Sequence, residues 1–148
     1  MEVSKVSFSP GEDCMNDIIE QIQSASKFLD VCVFTISDNR ISDELITAYN
    51  NGIEIRIISD NEKMNDDGSD IKNLAAVGIN IKIDQSPSHM HHKYMIIDEL
   101  KVLTGSYNWT KAAAQYNQEN IVITDNDDIV TGFIDNFSQL WETSIALE

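Results

Sequence analysis

Met15, Ile18, Ile19 and Ile22 recur at helical spacing between Met15 and Ala25, and the stretch from Phe28 to Ile36 that follows is rich in branched and aromatic residues. The pattern predicts a helix and then a buried strand. Ile41, Leu45, Ile46 and Tyr49 mark a second helix that stops at Asn50-Asn51-Gly52, and Ile53, Ile55, Ile57 and Ile58 form the next strand. A polar loop from Asn61 to Asp70 leads into a short helix over Ile71–Ala76, ended by Gly78, and Ile79, Ile81 and Ile83 then alternate with polar residues as a strand does. Strands alternating with helices predict βαβ crossovers, so the expected fold class is α/β, with a mixed, largely parallel sheet flanked by helices on both faces.

The second half reads differently. Pro87 and a histidine cluster precede apolar Tyr94–Ile97, a turn at Asp98-Glu99 and then Val102-Leu103, which together predict a hairpin. A strand over Ile121–Ile123 follows. Ile129, Phe133, Ile134, Phe137, Leu140 and Trp141 then form the strongest amphipathic helix, with Asp127 and Asp128 at its positive end.

At 148 residues the chain is expected to form a single catalytic domain over 1–148, and 42% hydrophobic with 24% charged residues excludes a disordered chain. Cys14 and Cys32 lack metal-ligand spacing and read as free buried thiols. No signal peptide and no apolar run of membrane-spanning length is seen, so a soluble cytoplasmic protein without stable membrane insertion is expected. The formal net charge of -15 repels nucleic acid and anionic membranes at long range, so any polyanion must be held by local positive charge.

That local charge is found at His91-His92-Lys93. On an extended segment residues two apart face the same way, so His91 and Lys93 point into one site and His92 to the opposite face. An imidazole, an ammonium and an amide side chain supply what a phosphodiester needs: a nucleophile for phosphorus and donors for its oxygens. His91, Lys93, Asp98, Gly105, Ser106 and Asn108 stand at the spacing His-x-Lys-x4-Asp, six residues, Gly-Ser-x-Asn, with Glu119 beyond. This resembles the signature of the phospholipase D superfamily. Phe8-Ser9-Pro10-Gly11 and Lys111-Ala112-Ala113 extend the likeness to the small bacterial endonucleases of that superfamily.

The resemblance implies a phosphodiesterase in which His91 attacks phosphorus to give a phosphohistidine, while a second such histidine protonates the leaving oxygen. It implies that Lys93, Asn108 and Ser106 bind the phosphate, that Glu119 accepts a hydrogen bond from the other ring nitrogen of His91, and that Asp98 supports the hairpin. One motif where the mechanism needs two implies a homodimer sharing its site across the two-fold. No cofactor is implied. A metal-independent nuclease on DNA or RNA is the leading expectation; a phospholipid (cardiolipin-type) phosphodiesterase and a non-catalytic dimeric binding module are the alternatives. His89, His91 and His92 as a metal cluster is a further reading, disfavoured because Lys93 takes the place of a metal. Tyr107 and Trp109 are expected in packing, and Lys63, Lys101 and Lys111 in solvent.

Overall fold

The structure is a computed structural model and describes residues 4–147. Its strands are β1 (Ser4–Phe8), β2 (Phe28–Val33), β3 (Glu54–Asp60), β4 (Asn80–Asp84), β5 (Lys93–Ile97), β6 (Lys101–Gly105), β7 (Asn120–Thr124) and β8 (Ile145–Ala146). The helices are α1 (Asp13–Ser24), α2 (Asn39–Asn50), α3 (Ile71–Val77), α4 (Lys111–Gln115) and α5 (Asp127–Thr143). All eight strands join one sheet in the order β1-β7-β6-β5-β2-β3-β4-β8.

The α/β class and the helices on both faces agree with expectation; the predominance of parallel pairing does not. Only β2 with β3 and β3 with β4 run parallel, and the other five described pairings are antiparallel. The βαβ rule governs the first half, where helices return the chain to the same end of the sheet. Beyond β4 the hairpin and short links reverse it instead. Buried strands read as apolar runs in either direction, so the pattern could not separate the two. β1 and β8 also escaped notice, the first because Ser4–Phe8 is short and half polar, the second because it has only two residues.

Strand alternation divides the core. Leu29, Val31, Met95, Ile97 and Leu103 pack under α1 and α2 through Ile18, Ile22, Ile41 and Leu45. Cys32, Tyr94, Ile96 and Val102 face α5 through Val130 and Phe137. Both cysteines are buried and free. On the α5 face, Asp30 takes two hydrogen bonds from Arg56, at 2.8 and 2.9 Å, and the guanidinium lies over the rings of Phe137 and Trp141. No helix among the described residues is long and apolar enough to cross a membrane.

The β5–β6 hairpin turns on Asp98 and Glu99, whose φ angles of 56° and 58° give the twist that matches flanking strands. The Asp98 carboxylate accepts from the backbone N–H groups of Ser26, Lys27 and Phe28 and from Ser26 Oγ, pinning the turn to the start of β2. Desolvation pushes this carboxyl up, but those donors together outweigh it and hold it below its ordinary value. Asp98→Ala strands three N–H groups at a half-exposed site. We expect a loss of about 1–2 kcal/mol, seen in thermal melts as a Tm lowered by about 3–6 °C. An unchanged Tm would refute this tether.

Candidate active site

Beyond Val33 the chain leaves regular strand pairing, and residues 34–38 become the dock on which the site is assembled. Phe34 N–H donates to His92 O at 2.9 Å, Trp109 N–H donates to Thr35 O at 3.0 Å, and the N–H groups of Ser37 and Asp38 both reach Trp109 O. The histidine segment ahead of β5 and the Gly-Ser-x-Asn segment behind β6 therefore converge on one stretch of backbone. Tyr107 and Trp109, 1% and 0% exposed, anchor the second segment in the core, so their packing role is the one expected.

Each motif residue then has a physical reason for its place. A Cβ on Gly105 would lie 2.0 Å from Asn120 O and 2.9 Å from Ile121 Cα, so only glycine lets β6 approach β7 here. Ser106 closes that strand end: its N–H donates to Asn120 O at 3.0 Å and its Oγ accepts from Asn120 N–H at 3.1 Å. The Asn108 amide oxygen is buried and has no protein partner.

His91 and His92 lie just ahead of β5, yet the alternation carries through them. His92 stacks edge-on to Tyr94 at 5.4 Å, toward the α5 face, while His91 meets Lys93 on the other side. Lys93 is only 9% exposed, and its Nζ lies 2.8 Å from His91 Nδ1 and donates to His91 O at 2.7 Å. With the ammonium as donor, the ring nitrogen it meets acts as acceptor, and Nδ1 is the nearer of the two. Desolvation, then the positive charge of Lys93, hold the His91 imidazole below its ordinary value; Asp60 acts the other way. Burial also lowers Lys93, opposed by the Glu119 carboxylate.

One expectation is corrected and one role is located. No hydrogen bond joins Glu119 to His91 within the described residues: the carboxylate accepts from Asn117 Nδ2 at 3.2 Å and bears on Lys93 instead. Its backbone is fixed to the first loop, by Ser9 N–H to Glu119 O and Glu119 N–H to Ser9 Oγ. Asp98, at the far end of β5 and roughly 15 Å along the strand at 3.4 Å per residue, is a tether and not part of this cluster.

Sequence reasoning missed Phe34. Its ring lies 4.6 Å from that of His91 and 5.3 Å from that of His89, with Lys63 Nζ and Lys93 Nζ over it at 5.3 and 5.5 Å. A phenylalanine in an apolar run carries no sign that it borders chemistry. Of the lysines expected in solvent, Lys63 also pairs with Asp66 at 3.1 Å. The three histidines do not cluster; His89 lies instead beside Asp60 and Glu62. A cavity of about 410 Å³ opens beside His91, lined by Asp84, Ser86, His89, Met90, His92 and Leu140 as well.

Residues 18–141 match the family described as cardiolipin synthase, PLD-like domain. The mitochondrial cardiolipin hydrolase of Chlamydomonas reinhardtii is 38% identical over 128 residues, which cover 86% of this chain and 57% of that protein. The chain therefore spans little more than half the length of that relative. A phospholipase D of Rickettsia conorii is 34% identical over 136 residues, covering 90% of this chain and 68% of the other. The crystal structure of a phospholipase D family member, Nuc from Salmonella typhimurium, has the same fold, with a TM-score of 0.94 at 24% identity over 100% of this chain and 99% of that one. A match that runs from the first helix nearly to the end of the last, with a likeness of this extent to a bacterial phospholipase D, shows that the chain belongs to the phospholipase D-like family.

Proposed function

We propose that this chain is a phosphodiesterase of the phospholipase D type that cleaves nucleic acid without a catalytic metal. The observation that carries the reading is the Lys93 ammonium, nearly buried and 2.8 Å from the neutral-leaning His91 imidazole. A phosphate arriving there draws the Lys93 donors onto its oxygens and frees the His91 lone pair. A His91 nitrogen then bonds to phosphorus as the P–O bond to the leaving group breaks. The same histidine of a second copy gives its proton to the departing oxygen, then takes one from the water that releases the phosphohistidine. Asn108 donates to the phosphate through its Nδ2 hydrogens, since its Oδ1 can only accept, and Ser106, whose Oγ accepts from Asn120 N–H, keeps its O–H free to donate.

The second copy has support in the surface next to Glu119. Val6 pairs with Val122 and Phe8 with Asn120, so these side chains share one face, away from the Lys5 and Ser7 contacts with Asp17. Val6, Phe8, Val122 and nearby Tyr116 are exposed, an apolar shoulder suited to burial by another subunit. Nucleic acid is preferred over lipid because Phe8-Ser9-Pro10-Gly11 and Lys111-Ala112-Ala113 extend the likeness to the small bacterial endonucleases of the superfamily. The cardiolipin hydrolase relative favours phospholipid as the second reading.

Incubation with single-stranded DNA, duplex DNA, RNA and cardiolipin vesicles, each with and without EDTA, ranks these substrates. Cleavage of a nucleic acid that persists in excess chelator is expected. Turnover abolished by EDTA and restored by Mg2+ would overturn the mechanism, and cleavage of cardiolipin alone would move the assignment to the lipid.

His91→Ala should remove activity with the fold intact, whereas His92→Ala, whose ring faces α5, should be mild. Because the attacking imidazole must be neutral, activity is lost as pH falls through the His91 pKa. With that pKa held below its ordinary 6.5, the acid limb of kcat/KM should lie below pH 6.5. An acid limb above that value, or an inactive but folded His92→Ala, would contradict the site.

For the shared site, wild-type and His91→Ala chains unfolded together in equal amounts and refolded should lose about half the activity per wild-type chain by random pairing. Refolded wild type at the same total concentration is the control. Undiminished activity, with mixed dimers detected by mass, would show that each chain carries a complete site.

A further inference from the structure

The end of β3 and the loop that carries His91 meet at a second group of side chains that the phosphodiesterase chemistry does not use. Asp60 is 0% exposed, and its carboxylate is aimed by three backbone donors: Met90 N–H to Oδ1 at 3.0 Å, and Glu62 and Lys63 N–H to Oδ2 at 3.1 and 3.2 Å. His89 Nδ1 stands 3.7 Å from Asp60 Oδ1 and 3.9 Å from Glu62 Oε2. These separations are too long for hydrogen bonds, so the ring nitrogen faces two carboxylates across a gap. One donor atom from each residue lies within 4.8 Å of the others.

We infer that Asp60, Glu62 and His89 form a binding site for a first-row divalent cation of the zinc class, set on the loop that leads into the catalytic histidine. Donors around a tetrahedral zinc with bonds of about 2.0–2.1 Å lie roughly 3.3–3.4 Å apart, so the two His89 separations close by about half an ångström and the Asp60–Glu62 pair closes from within 4.8 Å, with water left to fill the fourth position. Glu62 and His89 are 73% and 54% exposed at their side chains and have the freedom to make it, while buried Asp60 is already fixed. An imidazole with two carboxylates suits zinc better than magnesium, which prefers oxygen ligands and retains its water. The Lys63 side chain does not compete, since its Nζ is paired with Asp66 at 3.1 Å and lies over the Phe34 ring. The His89 ring stands edge-on to Phe34, so an ion held here clamps the same aromatic that borders His91.

The test is calorimetric titration of the full chain, stripped of metal with chelator and exchanged into chelator-free buffer. Zn2+ should bind at one ion per chain, and Mg2+ should not bind in the same range. His89→Ala and Glu62→Gln, both changes of exposed side chains, should each weaken Zn2+ by about tenfold or more, no less than the loss of an outer-shell partner costs. His91→Ala and His92→Ala should bind as wild type does, with circular dichroism used to check that all four variants are folded. Absence of Zn2+ binding up to millimolar concentration, affinity unchanged in His89→Ala, or affinity lost in His91→Ala would each overturn the assignment. The readout is binding alone, so it stands whether or not the chain cleaves nucleic acid.

Discussion

Everything at the site depends on the backbone hydrogen bonds that the chain makes as it leaves β2. At Thr35 and Phe34 one short stretch satisfies the segment carrying Asn108 on one side and the segment carrying His91 on the other. These bonds lie beside buried Trp109 and Tyr107, where an unpaired backbone group is costly, so the segments are held to one geometry. Rigid placement of this kind is what a phosphate site needs, because its donors must already be oriented when charge develops. The Asp98 tether works at the opposite end of the same strands, fixing the hairpin against the start of β2.

Electrostatics give the site its contrast with the rest of the surface. A chain of net charge -15 keeps Lys93 nearly buried beside two histidines, and burial lowers the pKa of all three. The same desolvation that disfavours the cationic forms leaves His91 inclined to be neutral, the form that can attack phosphorus. The Glu119 carboxylate moderates the effect at Lys93 without touching His91. Carboxylates elsewhere are occupied structurally: Asp17 by Lys5 and Ser7, Asp38 by Arg40, Asp30 by Arg56. The acidic surface is thus partly a framework of local pairs, and its bulk charge says little about what the cationic Lys93 side chain meets.

The sequence by itself determined much of this. Helical spacing located α1, α2 and α5, because an amphipathic face leaves a period that tertiary context does not erase, and the polar loop and Gly78 bracketed α3. Alternation of two put His91 with Lys93 and turned His92 to the other face, and the contacts with Lys93 and Tyr94 agree. The spacing of the motif marked Gly105, Ser106 and Asn108, although it held no reason for the glycine; the reason is the carbonyl of Asn120. What only the tertiary structure decided concerns partners distant along the chain. Strand direction past β4 was unreadable since a buried apolar run looks alike in parallel and antiparallel pairing. Glu119 was expected at His91, but pairing of β7 with β1 and β6, and the bonds to Ser9, fix where that strand begins and turn the carboxylate to Lys93 and Asn117 instead. Phe34, Asp60 and Glu62 likewise became neighbours of the histidines only through the sheet. Local periodicity records which face a side chain takes, whereas the identity of the atoms across from it is set by backbone pairing between segments far apart in sequence, which no local pattern encodes.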